Sequence, residues 1–231
     1  TEPKLAQKLD ELAKEHGVTV LGTGINPGFL MDTLVITLTG VCQKVERVKA
    51  TGIVNAATRR TPFQKKIGVG LSVKEFRDRI ERKTITGHVG LEQSISMIAS
   101  ALGWELDKIE VDPVEPVVAK IPVESEAIRV KPSHVAGLRQ CSRGIMGGRE
   151  VITLDLQAYM DAEEEYDSIS IKGTPNLHMK IVPCVHGDVG TVAIVVNSIP
   201  KVLNAPPGLV TMKDLPIPSL VLKDMREYIH Q

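Results

Sequence analysis

Helical and strand-like spacings follow each other at the start of the chain. Between Glu2 and His16 the apolar residues recur on one face of a helix, and Gly17 is well placed to end it; that face carries Leu5, Leu9, Leu12 and Ala13. The run Val18-Thr19-Val20-Leu21 is typical of a short strand. A parallel sheet would need more strands before this pair. We therefore expect a preceding segment that is missing here, was cleaved, or sits on another chain.

A turn with glycines at 22, 24 and 28 follows the strand. It suggests a dinucleotide-binding loop, but the spacing argues against one. That loop needs a third glycine where Pro27 stands, and an acidic ribose anchor about 20 residues further on. Pro27 suits the first turn of a helix, and Asn26 can cap it. The pattern therefore predicts strand, turn and a capped helix over residues 27–42.

Regular patterns continue through the first half of the chain. Residues 45–54 alternate as a strand, and Ser72 starts a helix that runs to Lys83, with Glu75 completing an S-x-x-E capping box. A further helix is predicted over residues 88–102, with Gly103 ending it. Its apolar stripe consists of Leu91, Ile95, Ile98 and Leu102.

From residue 104 onward strand patterns dominate. The candidates are 105–111, 115–123, 127–131, 134–142, 150–159, 168–172 and 177–182. Gly147-Gly148, between two of these runs, predicts a hairpin turn. Near the C-terminus Asp188 can cap a helix beginning at Val189 and kinked at Pro200. A loop over 204–218 and a final helix over 219–230 complete the prediction.

These elements predict an α+β fold. We expect a large, mostly antiparallel or mixed sheet with helices packed on one face, attached to the last helix-strand unit of a Rossmann-type domain whose N-terminal part is absent. Residues 1–25 would be the remnant of that dinucleotide-binding domain. Residues 26–231 would form a substrate-binding and oligomerisation domain, whose sheet leaves one face for a partner subunit.

Composition narrows the classes of function. Lys plus Arg equals Asp plus Glu at 28 each, so nothing favours nucleic acid or an anionic membrane as a partner. Aromatic residues make up only 3%, which argues against base-stacking platforms. The three cysteines are widely spaced and odd in number, which fits a reducing cytoplasm better than a disulfide framework. No signal-like segment or membrane-spanning run is present in the sequence.

The loop over residues 58–72 is the best candidate for chemistry from the residues alone. Four cations, Arg59, Arg60, Lys65 and Lys66, lie within eight residues. Gly68 and Gly70 allow the backbone to approach a ligand closely, and the loop leads into the helix N-terminus at Ser72. Such a terminus favours a carboxylate or phosphate, which arginine can bind bidentately. A solvated basic loop is the alternative interpretation.

His88 and Glu92 form a second candidate. Four residues apart on one helix, they would stack, and a His–Glu pair could tune an imidazole that acts as acid or base. The alternative is a residue at the helix N-terminus with a neighbouring surface salt bridge. The histidines around Cys184 lack the second ligand pair that a metal site requires, so no metal is expected.

Four segments resemble a known family. They are GTGINPGFLMDTL at 22–34, QKKIGVGLSVKEF at 64–76, GHVGLEQSISMIASALGW at 87–104, and GDVGTVAIVVNSIPKVLNAPPGLVTMKDLPIP at 187–218. Together they resemble the C-terminal part of the 2,4-diaminopentanoate dehydrogenase family, within the wider dihydrodipicolinate-reductase-like dehydrogenases. The likeness covers essentially the whole chain.

The resemblance implies an activity and a cofactor. It implies oxidative deamination of a diamino acid such as 2,4-diaminopentanoate, or the reverse reaction, with NAD or NADP. It also implies an N-terminal portion that holds the pyrophosphate loop, a turn near the nicotinamide formed by Gly24, Asn26, Pro27 and Gly28, and a homodimer or homotetramer.

The resemblance also implies substrate residues. Lys66, Gly70 and Ser72 match best the superfamily loop that holds a substrate carboxylate. The superfamily's paired histidines are absent, and Arg59 and Arg60 stand roughly in their place, so the resemblance does not assign the proton-transfer role to a histidine. Lys66 as acid or base, and Arg59 or Arg60 as carboxylate clamp, are therefore hypotheses. A non-catalytic binding or assembly module, and a reductase of the same superfamily with another carboxylate substrate, stay open as alternatives.

Overall fold

A computed structural model describes residues 2–229, which form two compact units. One unit comprises the residues up to 42, residues 92–105 and those from 186 onward. The other comprises residues 43–91 and 106–185. We call them the terminal unit and the central unit, because the first contains both chain ends and the second lies between them in sequence.

The helices and strands of the described residues have the following bounds. The helices are α1 (Pro3–Glu15), α2 (Thr33–Thr39), α3 (Thr61–Lys66), α4 (Val73–Glu81), α5 (Leu91–Leu102) and α6 (Gly187–Leu203). The strands are β1 (Thr19–Leu21), β2 (Lys44–Asn55), β3 (Lys108–Val111), β4 (Glu115–Val118), β5 (Val123–Glu124), β6 (Arg129–Val130), β7 (Val135–Met146), β8 (Arg149–Tyr159), β9 (Tyr166–Thr174), β10 (Leu177–Ile181) and β11 (Gly208–Val210). Short 3₁₀ helices cover Ala56–Thr58, Met212–Asp214 and Met225–Tyr228.

The terminal unit contains a two-stranded parallel sheet. Strand β1 pairs with β11, with Thr19 opposite Gly208 and Leu21 opposite Val210. Helix α1 is tied to β11, because the Asp10 carboxylate accepts a hydrogen bond of 2.9 Å from the Leu209 N–H. The prediction of a continuous loop over 204–218 was therefore wrong at β11, whose three residues are too few to show a period in the sequence.

Two helices of the terminal unit carry exposed apolar side chains. On α1 the predicted stripe has the expected period, but only Ala13 is buried; Leu5 is 56% exposed and Leu12 42% exposed. On α6 a similar row is exposed, consisting of Val189, Val192, Val196, Ile199 and Leu203. The helical spacing of these residues was predicted correctly. The spacing alone does not show whether an apolar face is buried, and here both faces are exposed.

The C-terminal segment is less helical than predicted. The backbone N–H of Val221 donates to the side-chain oxygen of Asn197 on α6 at 3.0 Å, and not to the carbonyl four residues earlier as in a helix. Only the 3₁₀ helix Met225–Tyr228 forms, and the predicted last residue, His230, lies outside the described residues. The start of α6 also differs: His186 is the N-cap, and its carbonyl accepts the first helical bond from the Gly190 N–H, so Asp188 lies inside the helix.

The central unit is built on a seven-stranded mixed sheet. Its order is β10-β9-β2-β8-β7-β3, with β4 also paired to β7. Strands β2 and β8 are parallel, and the other pairs are antiparallel. The predicted mostly antiparallel or mixed sheet is confirmed. So is the hairpin between β7 and β8, where Gly147 and Gly148 both have positive φ, as a type I′ turn requires.

Helix α4 anchors the core of the central unit. Its N-terminus carries the predicted capping box, in which the Ser72 hydroxyl accepts from the Glu75 N–H and the Glu75 carboxylate accepts from the Ser72 N–H. Phe76 on the next turn is fully buried with Val130, Leu138 and Met160. Gly68 makes room for that ring, since a Cβ there would lie 2.5 Å from it. The loop predicted over 58–72 contains α3, which Pro62 can start because proline is favoured in a first turn.

Candidate functional site

The glycine turn of the terminal unit does not start a helix at Pro27. Gly28 has φ +131, outside the helical region, and α2 begins only at Thr33. The prediction of a helix from residue 27 was therefore wrong. Asn26 does not cap α2 either, because the N-cap is Asp32; the Asn26 side-chain oxygen accepts from the Met31 N–H at 2.9 Å within the loop. The turn is thus a fixed, non-helical loop of residues 22–32.

Asp32 holds this loop together from inside. Its carboxylate accepts from the Gly28 N–H at 2.8 Å, the Thr33 N–H at 2.6 Å and the Ser94 hydroxyl at 2.7 Å. Asp32 is only 1% exposed, so these three donors supply the partners that a buried carboxylate needs. Asp32 was not among the residues predicted from the sequence; the signal that could have identified it is an acidic residue directly before the apolar run of α2.

The loop packs so closely that only glycine fits at position 28. A Cβ there would lie 2.5 Å from the Gly24 backbone N and 2.7 Å from the Thr23 hydroxyl. Gly24 in turn faces the Thr191 side chain of α6, with 3.5 Å between a Gly24 Cβ and the Thr191 methyl group. The structure therefore brings Gly24, Gly28 and the N-terminal turn of α6 together.

Two polar atoms of the terminal unit are buried and have no hydrogen-bond partner within residues 2–229. They are the Thr23 hydroxyl, in the glycine loop, and His186 Nδ1, at the N-cap of α6. A native protein seldom leaves such atoms unsatisfied unless a ligand or water completes them. Neither residue was singled out from the sequence.

In the central unit, the four basic side chains of the segment 58–72 have different environments. Arg59 is only 10% exposed at its side chain and forms an ion pair of 2.9 Å with Glu165, and it also lies 3.2 Å from Cys184 Sγ. Burial raises the pKa of the Cys184 thiol to about 11, so it is protonated at neutral pH. Arg60 is the N-cap of α3, whereas Lys65 and Lys66 are exposed in its last turn.

At the helix N-terminus, the Ser72 N–H and hydroxyl already bind a carboxylate of the same chain, that of Glu75. The Ser72 hydroxyl lies 2.8 Å from the Glu75 carboxylate, and the Ser72 N–H donates to the same oxygen at 3.0 Å. Gly70 has φ +86, and its N–H donates to the Val135 carbonyl at 2.8 Å. Substrate binding by Gly70 and Ser72 stays a prediction.

His88 lies outside a helix. Helix α5 begins at Leu91, and Gly87 and Gly90 on either side of His88 have φ +69 and +121. The helix predicted over residues 88–102 forms, but its predicted start at His88 was wrong, because these glycine conformations are not helical. The predicted stacking of His88 on Glu92 required both residues to lie on one helix, whereas only Glu92, exposed in the first turn of α5, lies on it.

The environment of His88 is set mainly by burial, with a smaller effect from the charge of Lys66. Burial is the main cause that lowers the pKa of His88 to about 4, and the nearby Lys66 ammonium lowers it further. Nε2 of His88 is buried without a hydrogen-bond partner in the described part of the chain. The backbone N–H of His88 donates to the side-chain oxygen of Gln140 at 2.8 Å. The central unit therefore contains a neutral imidazole whose Nε2 has no hydrogen-bond partner among the described residues.

No group of three or more His, Cys, Asp or Glu side chains within residues 2–229 is arranged to hold a metal ion. None of the helices in the same residues has the length and apolar character that crossing a bilayer requires.

Comparisons with known proteins identify relatives over the whole chain. The family described as "2,4-diaminopentanoate dehydrogenase C-terminal domain" matches residues 29–231. The 2,4-diaminopentanoate dehydrogenase of Acetoanaerobium sticklandii is 39% identical over 234 residues, covering 100% of this chain and 66% of that protein. The structure of an amine dehydrogenase from Mycobacterium smegmatis superimposes with a TM-score of 0.80 at 26% identity, covering 96% of this chain and 65% of that one. The chain thus spans slightly less than two thirds of the length of either relative.

Proposed function

The chain belongs to the family of 2,4-diaminopentanoate dehydrogenase C-terminal domains, and we propose that it is the substrate-binding portion of an amino-acid dehydrogenase. The reaction is the oxidative deamination of a diamino acid such as 2,4-diaminopentanoate, with NAD or NADP. The observation that carries this proposal is the 39% identity to a 2,4-diaminopentanoate dehydrogenase along all of the chain. The amine dehydrogenase with the same fold supports a CH–NH₂ group as the site of oxidation.

The terminal unit supplies the residues that we propose for the cofactor. A two-stranded parallel sheet is rarely stable alone, and parallel sheets are normally larger and covered by helices on both faces. The pair β1 and β11 therefore fits the edge of a dinucleotide-binding sheet. Gly24, Asn26, Pro27 and Gly28, with the unpartnered Thr23 hydroxyl, would lie beside the nicotinamide. A bound nicotinamide cofactor would supply the hydride acceptor for the reaction at the substrate carbon.

The central unit supplies the residues that we propose for the substrate. A neutral His88 does not repel an ammonium group, and its free Nε2 can accept a hydrogen bond or a proton from the substrate amine. Lys66 adds a positive charge beside it, which favours the substrate carboxylate or, as acid or base, a proton transfer. Arg60, Gly70 and Ser72 remain proposed carboxylate contacts. Arg59 is satisfied by Glu165, which favours a structural role for it.

Substitutions at Lys66 and His88 test this proposal in the complete protein. With 2,4-diaminopentanoate and NAD⁺ or NADP⁺, Lys66→Ala and His88→Asn should each lower kcat/KM by about 10²–10⁴-fold, the usual contribution of a proton-transfer group. Lys65→Ala is the matched control, because Lys65 is the adjacent exposed lysine in the last turn of α3, and it should stay close to the wild-type value. Near-normal kcat/KM in both test variants would exclude the proposed substrate site.

A further inference from the structure

Gln140 is a buried polar residue in the middle of a strand. It lies on β7 and is 7% exposed. Its register partner on β8 is Leu156, and the flanking residues on the same side of β7 are Leu138 and Ser142, both fully or almost fully buried. An amide on this buried side costs free energy unless it is hydrogen-bonded. Its presence therefore requires a specific partner.

That partner is the backbone of His88. The Gln140 Oε1 atom accepts from the His88 N–H at 2.8 Å. The contact joins a loop of otherwise irregular backbone to a central strand of the seven-stranded sheet. A hydrogen bond to the main chain fixes where the Cα of His88 lies, and with it the origin of the imidazole side chain.

Gly87 shows how closely the loop is pressed onto Gln140. It has φ +69, and a Cβ built there would lie 2.6 Å from Gln140 Oε1 and 2.7 Å from a methyl group of Val114. No side chain can therefore be placed at position 87 without moving Gln140 or Val114. The loop is held against the sheet by the same side chain that accepts the His88 N–H.

We propose that Gln140 is a positioning residue for the substrate amine: it fixes the Gly87–Gly90 loop so that the unpartnered Nε2 of His88 is presented in one orientation. The proposal rests on the proposed function, in which His88 contacts the amine. Gln140 itself touches the His88 main chain and not the reacting atoms. Its contribution should therefore affect how His88 acts rather than whether the substrate binds.

The decisive variant is Gln140→Met, which keeps the length and removes the acceptor. In the complete protein we expect kcat to fall roughly tenfold while KM changes much less, since misplacing a catalytic group affects the chemical step more than binding. The matched control is Gln157→Met on the neighbouring strand β8, whose side chain lies near Asp155 instead of His88. It should leave kcat and KM close to wild type.

A titration of the His88 imidazole by NMR gives a readout that a purely structural role would not move. The wild-type ring should titrate near pKa 4. In Gln140→Met the loop is released from the sheet and the ring gains solvent, so its pKa should rise toward the ordinary value of about 6.5. A variant with a lowered Tm but an unchanged His88 pKa and an unchanged kcat would overturn the inference.

If Gln140→Met does not fold, Gln140→Glu decides the question, because it keeps an acceptor at the same place and adds a carboxylate. A kcat near wild type, with a His88 pKa raised by the new negative charge, supports the inference; a wild-type pKa overturns it.

Failure of the proposed function gives a different pattern. In that case His88→Asn stays active while the NMR shift in Gln140→Met persists. If instead His88→Asn is inactive while Gln140→Met changes neither readout, only this inference is overturned.

Discussion

His88 links the candidate site to the pH dependence of folding. In an unfolded chain a histidine titrates at about 6.5, whereas burial and Lys66 lower the pKa of His88 to about 4 in the folded chain. Between these values the unfolded state binds more protons than the folded state. The stability that neutral His88 allows is therefore fully present above about pH 6.5 and is lost as the pH falls toward 4.

This linkage predicts a pH-specific effect of His88→Asn. Urea unfolding near pH 7.5 and near pH 4.5 should show a smaller acid-induced loss of unfolding free energy in the variant than in wild type, by roughly 2 kcal/mol. The control is His178→Asn, which makes the same substitution at an exposed position on the edge strand β10 of the same unit. An equal acid sensitivity in wild type and His88→Asn would show that His88 is not kept neutral by the fold.

At this scale the local sequence identifies candidate residues more readily than their partners. The hypotheses named Lys66 and His88, whose catalytic roles stay predictions; in the structure burial and the charge of Lys66 lower the pKa of His88. The hypotheses also paired His88 with Glu92, which depended on a helix that Gly87 and Gly90 prevent. Gln140 was missed because its partner lies 52 positions away in the chain. Gln140 could have been identified from the sequence as a polar residue at a position where the alternation of the strand predicts a buried side chain.

Among the elements, the segment from β1 to α2 depends most on a single side chain. Asp32 accepts from one donor in the glycine loop, one at the start of α2 and one on α5. The loop and α2 are therefore fixed to each other and to α5 through one buried carboxylate. A charge-assisted network of this kind stabilises the fold only while every donor keeps its acceptor.

Removing the Asp32 carboxylate should lower the free energy of unfolding more than removing one of its three donors. We expect Asp32→Ala to lower the free energy of unfolding by about 3 kcal/mol or more, because three buried donors lose their acceptor. Ser94→Ala, which removes one of those donors and leaves the other two bonds, should cost about 1 kcal/mol. Urea unfolding at neutral pH measures both. Equal losses in the two variants would mean that Asp32 is not the centre of the network.

Elements with local causes were predicted more reliably than those that depend on distant contacts. The capping box of α4 and the Gly147-Gly148 hairpin involve residues at most three positions apart, and both are confirmed. The helix expected from residue 27 and the final helix over 219–230 did not form as predicted. Distant partners explain the difference, namely Ser94 for the glycine loop and Asn197 for the C-terminal segment. Strand β11 exists because β1, almost 190 residues earlier, pairs with it.

On the scale of the whole molecule, the terminal unit has an unusually small parallel sheet. Only β1 and β11 pair within the described residues, and the apolar faces of α1 and α6 are largely exposed. In parallel α/β folds a dinucleotide binds in the crevice at the carboxyl ends of several adjacent strands, with its pyrophosphate at a glycine-rich helix N-terminus. The glycine loop after β1 has Pro27 where that motif needs glycine, and α2 starts five residues after Gly28. Two strands and this loop do not provide the crevice.

The 231-residue chain by itself should therefore bind the cofactor poorly. We expect NADH and NADPH to bind it with a Kd weaker than about 1 mM, because the pyrophosphate contacts that dominate dinucleotide affinity are missing from the terminal unit. A chain extended by the segment that corresponds to the remaining third of its relatives should bind one of the two cofactors in the micromolar range, within about 1–100 µM. The nicotinamide fluorescence during titration measures both. Micromolar binding by the 231 residues alone would show that the glycine loop and the α6 N-terminus hold the dinucleotide without further strands, and the proposed division of roles would then be wrong.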